Sequence, residues 1–176
     1  MNNNFIYLKH FEIRHTHYQY WFSKSDELFY SAKLLWDDME KTGLLFIRDI
    51  YLMLIGMSFE TLIKAYYICL NKEYEVTHNL NKLFKNIGVY LKDEEEEILN
   101  ILTNTIIWEG KYPSPKKKNK EYFMNQWKNK QIFTYETVKD ENFGKIQKYR
   151  DRLSFNNLKR LRDKIIEQMK CLYENC

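Results

Sequence analysis

At 176 residues, with 44% hydrophobic and 16% aromatic residues, the chain is long enough to bury one sizeable core and too short for two ordinary domains. Five glycines and two prolines argue against a turn-rich β architecture and for long helices. The formal net charge of +4, from 28 basic and 24 acidic residues, permits an anionic partner without requiring one, and three cysteines (Cys69, Cys171, Cys176) without a CxxC pair suggest neither a disulfide framework nor a thiolate zinc site and suit a reducing compartment.

The N-terminal segment MNNNFIYLKHFEIRH has no basic region leading into an unbroken apolar stretch, so it does not read as a signal peptide. Residues 1–17 are expected to form an exposed arm. Within it, Arg14, His15 and His17 offer the alternative of a metal or phosphate cluster, His15 and His17 being two apart as on one face of a strand.

From Tyr18 to Glu40, Trp21, Leu28, Ala32, Leu35 and Met39 recur at helical spacing, and Gly43 suits the left-handed cap that ends a helix. Leu44 to Leu70 is apolar around nearly its whole circumference, with Gly56, Ser58 and Ala65 as small gaps, which predicts a central helix packed on several sides. Its richest apolar run, Ile50 to Phe59, is only about half as long as a membrane span, so a cytoplasmic protein without membrane contact is expected. Glu60 and Lys64 stand four apart in the favourable order for an ion pair at the rim of a bundle.

A shorter helix is predicted from Thr77-His78-Asn79, carrying Leu80, Leu83, Phe84 and Ile87 and closed by Gly88. Asp93 and Glu94 to Glu97 put acids on the positive end of the next helix dipole. Ile98, Ile101, Leu102, Thr105 and Ile106 form that helix's buried stripe. It stops in a loop at Trp108-Glu109-Gly110-Lys111-Tyr112-Pro113-Ser114-Pro115, where glycine frees the backbone and the prolines remove donors. Residues 114–154 form an insertion with no clean period, irregular over 116–144. A final helix from Phe155 carries Leu158, Leu161, Ile165, Met169 and Leu172 at heptad-like spacing.

Three segments in order, Ser58-Phe59-Glu60-Thr61-Leu62-Ile63-Lys64-Ala65, His78-Asn79-Leu80-Asn81-Lys82-Leu83 and Ile107-Trp108-Glu109-Gly110-Lys111-Tyr112-Pro113-Ser114-Pro115, resemble prokaryotic HEPN-domain proteins, whose corresponding pieces read E-x-x-x-K, H-x-L and W-x-G-R-Y-P. The resemblance spans residues 20 to 115, with a looser fit at the C-terminal helix. It implies a single all-α domain built as an up-and-down bundle of four to five helices, a homodimer, and roles linked to RNA cleavage, toxin–antitoxin pairs or phage defence. Lys111 stands where relatives often carry Arg, which keeps the charge and loses the planar fork that grips phosphate.

The family's ribonucleases carry an Arg followed, after about four to six residues, by a His, the imidazole moving protons while the guanidinium holds the phosphate. The four histidines here, at positions 10, 15, 17 and 78, complete no such pair: Arg14 is too close to His15 and His17, and Arg48 is too far from His78. The expectation is therefore a non-catalytic HEPN-like module that binds RNA or a protein partner and uses no cofactor or metal. The competing reading is a divergent, metal-independent ribonuclease using His78 with Lys64 or Arg48 across a dimer seam. His78 alternatively caps or packs its helix start. For RNA or anion binding, Trp108, Lys111 and Tyr112 would supply a stacking platform, and Lys116, Lys117 and Lys118 would track phosphates; the plainer account makes Trp108 and Tyr112 anchors of the loop.

Overall fold

The computed structural model describes residues 3–113, 120–121, 124–125, 128, 135–140, 144–149 and 152–174. Six helices are described: α1 (Asn3–Thr16), α2 (Tyr18–Thr42), α3 (Arg48–Cys69), α4 (Leu80–Asn86), α5 (Asp93–Asn104) and α6 (Phe155–Glu174), with a π-helical turn, Thr105–Glu109, prolonging α5. The all-helical character expected from composition holds for the core. The segment for which no period was found contains two short strands, β1 (Tyr135–Asp140) and β2 (Gly144–Tyr149), paired antiparallel with Tyr135 opposite Tyr149 and Val138 opposite Ile146.

Within the arm expected at residues 1–17, Asn3–Thr16 forms a helix, exposed over most of its described side chains. That disposes of the strand on which His15 and His17 would have shared a face, since two residues on a helix diverge. Among the described residues no group of His, Cys, Asp and Glu stands ready to hold a metal ion.

Helix α3 is the centre of the molecule. It begins at Arg48 rather than Leu44, because Leu44, Leu45 and Phe46 run through an exposed connection after the left-handed cap at Gly43 (φ 70°). Twelve of its residues are buried, among them Tyr51, Leu52, Ile55, Phe59, Leu62 and Ile63. Burying each large apolar side chain stabilises by about 1.5–3 kcal/mol, against less than about 1 kcal/mol for an exposed pair such as Lys24–Glu27, so packing on α3 dominates the fold. This helix has the length and hydropathy of a membrane span, yet most of it lies inside the bundle, as a core helix must.

Small side chains set the close approaches. Ser25 on α2 and Ser58 on α3 each donate a hydroxyl to the other's backbone carbonyl, at 2.8 and 2.9 Å, which brings the two helices together without an orphaned polar group. Gly56 lets the end of α5 lie on α3: a Cβ there would come within 2.9 Å of the Leu102 carbonyl oxygen and 2.8 Å of the Ile106 side chain.

Helix α6 closes the core with Leu158, Leu161, Ile165 and Met169, all buried, as their spacing predicts. It is tied down by Tyr51 Oη donating to the Leu153 carbonyl (3.0 Å), by Lys164 on both oxygens of Glu95 (2.7 and 2.5 Å), and by two bonds between the Gln168 amide and the Tyr90 backbone. At the start of α5, the Lys92 N–H donates to Glu95 Oε2 (2.8 Å), so the acidic run satisfies the helix end as expected.

Candidate functional site

Helix α3 ends at Cys69 with Leu70 as its cap, and Asn71 takes a left-handed φ of 52°, turning the chain back over the last turns of the helix. Residues 71–79 then carry Tyr74 and His78 toward Glu60 and Lys64, which share one face because they are one helical turn apart. Asn79 caps α4 by accepting from the Lys82 N–H (3.0 Å). The cap is Asn79 and not His78, which leaves the imidazole free to reach elsewhere.

It reaches Glu60. His78 Nδ1 lies 2.8 Å from Glu60 Oε2, while Lys64 Nζ lies 2.5 Å from Glu60 Oε1. A carboxylate only accepts, so Nδ1 carries the proton in this bond and Nε2 is the nitrogen turned away from Glu60. The Glu60 and Lys64 side chains are 11% and 12% exposed, far more enclosed than a pair at a bundle rim, whereas His78 is 55% exposed. Lys64 Nζ also sits 5.4 Å from the centre of the Tyr74 ring, a cation–π contact. Burial and then the Glu60 carboxylate push the Tyr74 phenol above its ordinary value.

The arrangement resembles half of an acid–base site: a carboxylate orients an imidazole whose outer nitrogen faces away from it. Among the described residues, the cation bonded into this cluster, Lys64, is consumed by Glu60, and Arg48 lies twelve residues before Glu60 along the same helix, about 18 Å of axial rise. Within one chain, then, His78, Glu60 and Lys64 come together and Arg48 does not join them. Cys69 offers no substitute nucleophile, since burial pushes its thiol up, away from the reactive thiolate.

The second expected constellation is split. Trp108 is buried at 7% exposure, the arrangement of an anchor. Lys111 and Tyr112 are exposed, Tyr112 at 51%. The chain passes so close to α3 at Gly110 that a Cβ there would lie 2.4 Å from the Met53 side chain. Lys116, Lys117 and Lys118 lie outside the described residues.

A buried polar group missed by sequence reading sits between α2, α3 and α6. Arg162 Nη2 donates to Asp26 Oδ1 (2.5 Å) and to Ser25 Oγ (3.2 Å), with its guanidinium 4.8 Å from the Phe29 ring. Beside it, burial pushes the Tyr66 phenol up to about 12, helped by Cys69 and opposed by the Arg162 charge. One signal was present: Arg162 falls on the apolar stripe between Leu158 and Ile165, where a charge must find a partner. It ties α6 to α2, and Ser25 carries the link on to Ser58 of α3. Comparison with family models, with curated proteins and with solved structures finds no match for this chain.

Proposed function

We propose that this chain is a non-catalytic helical interaction module that pairs with a second copy of itself through the apolar surface around the N-terminal end of α3. The observation carrying this reading is the exposure of large apolar side chains there. Phe46 is 79% exposed, and Leu44, Leu45 and Ile50 are also exposed; Ile107 and Tyr112 flank the Gly110–Met53 contact one turn further along α3. Exposed apolar side chains gathered in one region mark protein contact sites, and aromatics are enriched in such contacts. Residues 44–53 carry one Arg and one Asp, Arg48 and Asp49, so the surface is balanced in charge and a two-fold mate meets it without like-charge repulsion.

The absence of catalysis in this reading is supported by the Glu60 cluster, where the ammonium that a phosphodiester would need is already neutralised. The HEPN resemblance adds toxin–antitoxin or phage-defence roles, by analogy of sequence pieces alone. The competing ribonuclease reading draws on the Glu60–His78 bond, which orients the imidazole.

Light scattering on the purified protein tests the pairing. The expected mass is twice the 21.7 kDa of one chain, and Phe46→Asp halves it while far-UV circular dichroism stays unchanged. A monomer at high concentration, or a dimer indifferent to Phe46→Asp, overturns the proposal. RNA degradation by the purified protein that disappears in His78→Ala overturns its non-catalytic part.

A further inference from the structure

Where α2 meets the start of α6, a groove of about 360 Å³ is lined by the rings of Phe29, Tyr30, Trp36 and Phe155 and by the carboxylates of Asp26, Asp37 and Glu40. Its volume falls within the range of small-molecule sites, roughly 300–1,000 Å³. The α2 residues recur every three or four positions and so share one face. Asp26 and Glu40 are fourteen residues apart on that helix, about 21 Å of axial rise, so the acids are spread along the groove with the rings between them. The floor is held by the core: Phe29 and Phe155 lie 4.8 Å apart, and Trp36 packs on the buried Tyr51 at 5.3 Å.

The chain's own side chains show what these rings accept. The Arg162 guanidinium lies 4.8 Å from the Phe29 ring and the Lys33 ammonium 6.0 Å from the Phe155 ring, both cation–π distances. These cations do not use up the carboxylates. Arg162 takes only Oδ1 of Asp26, and a carboxylate has further acceptor positions. Lys33 bonds to Asp37, and Lys159, the other lysine of the groove, to Asp163 outside it. Both are half-exposed pairs worth less than about 1 kcal/mol, so a competing ammonium displaces Lys33 from Asp37 at little cost. Glu40 has no partner among the described residues. Carboxylates spaced along an aromatic floor complement ammonium groups spaced along a methylene chain.

We propose that the α2–α6 groove binds an aliphatic polyamine, its methylenes against Phe29, Trp36 and Phe155 and its ammonium groups on Asp26, Asp37 and Glu40. Lys33 competes for Asp37 and for the Phe155 ring, so its removal strengthens binding. A hydrated metal dication meets the same carboxylates but gains nothing from the rings, because it keeps its waters and seeks oxygen ligands. No residue of the groove belongs to the pairing surface around Phe46, so this site and the pairing of copies fail separately.

Spermine and magnesium chloride are titrated in parallel into the full chain at low salt, reading calorimetric heat and the fluorescence of Trp36, with Trp36→Phe as the optical blank. Saturable spermine binding, tighter than that of magnesium, is expected. It weakens several-fold in Glu40→Gln, strengthens several-fold in Lys33→Gln and stays unchanged in Lys24→Gln, a lysine of α2 outside the groove. All three replaced side chains are exposed, so the variants keep the fold, which far-UV circular dichroism checks. The proposal is overturned if spermine does not saturate, if magnesium binds as tightly, if either Glu40→Gln or Lys33→Gln binds like the wild type, or if Lys24→Gln strengthens binding as much as Lys33→Gln does.

Discussion

Replacing Glu60 by Gln preserves the shape of the side chain and removes the charge shared by Lys64 and His78. With Lys64 only 12% exposed, the ammonium left behind is close to fully desolvated, and losing one partner of such a pair costs about 3–5 kcal/mol when the other stays buried. Two features reduce this. The glutamine oxygen still accepts from Lys64, and the Tyr74 ring at 5.4 Å retains a cation–π contact worth about 0.5–2 kcal/mol. A net loss of about 2–3 kcal/mol follows, which lowers Tm by roughly 4–12 °C for a chain of this size. Lys64→Met costs less, about 1–2 kcal/mol, because Glu60 keeps His78 at 2.8 Å. In the double variant no unpaired ammonium remains, and the total loss falls below the sum of the singles by about 1 kcal/mol or more.

Urea and thermal melts followed by circular dichroism measure all four corners of this cycle. Tyr74 adds a second readout: since the Glu60 carboxylate is the second cause of its raised phenol, Glu60→Gln brings the phenol part of the way back down, visible in tyrosinate absorbance with Tyr74→Phe as the blank. A Glu60→Gln protein within about 0.5 kcal/mol of the wild type, or strictly additive singles, would refute the buried ion pair as the element that holds residues 71–79 against α3.

Two further outcomes follow from burial. Tyr66 titrates at about 12 in the folded chain against an ordinary 10.0, so the unfolded chain releases this proton first; the stability tied to the neutral phenol is complete below pH 10 and is lost as pH rises toward 12. The wild type should therefore lose more stability than Tyr66→Phe between those two values, and urea midpoints that fall in parallel would contradict it. Gly56→Ala gains about 1 kcal/mol of helix propensity but drives a methyl within 2.9 Å of the Leu102 carbonyl, an overpacking that costs about 1–3 kcal/mol. A net loss near 1 kcal/mol is expected, larger for Gly56→Val, and a Gly56→Ala protein more stable than the wild type would show that α5 sits farther from α3.

Much of the scaffold was legible because helix signals are local. The spacing of Trp21 to Met39, the cap at Gly43, the acids of Asp93 to Glu97 and the stripe from Leu158 to Met169 each depend on residues within a turn or two of one another, and each appears in the structure where its pattern stands. Boundaries were less so: the apolar run Leu44-Leu45-Phe46 reads as helix, yet it is exposed ahead of Arg48, since hydrophobicity alone does not distinguish a core stripe from a contact surface. The strands at Tyr135–Asp140 and Gly144–Tyr149 escaped because a two-stranded pair is specified by partners across a turn as well as by its own period.

The residue pairs that matter chemically were decided elsewhere. Sequence placed Glu60 and Lys64 on one face and marked His78 as a helix-start residue, but that the imidazole bonds to Glu60 depends on the left-handed turn at Asn71, and its distance from Arg48 on the rise of a helix between them. Likewise Arg14 and Trp21 lie in what read as an arm and a core stripe; one hydrogen bond across the break at His17 turns them into neighbours. Local patterns determine which segments are helices and which faces are greasy, because those preferences act within a few residues. Which charges meet, and which aromatics stay exposed, is set by the packing of helices distant in the chain, and only the tertiary structure contains it.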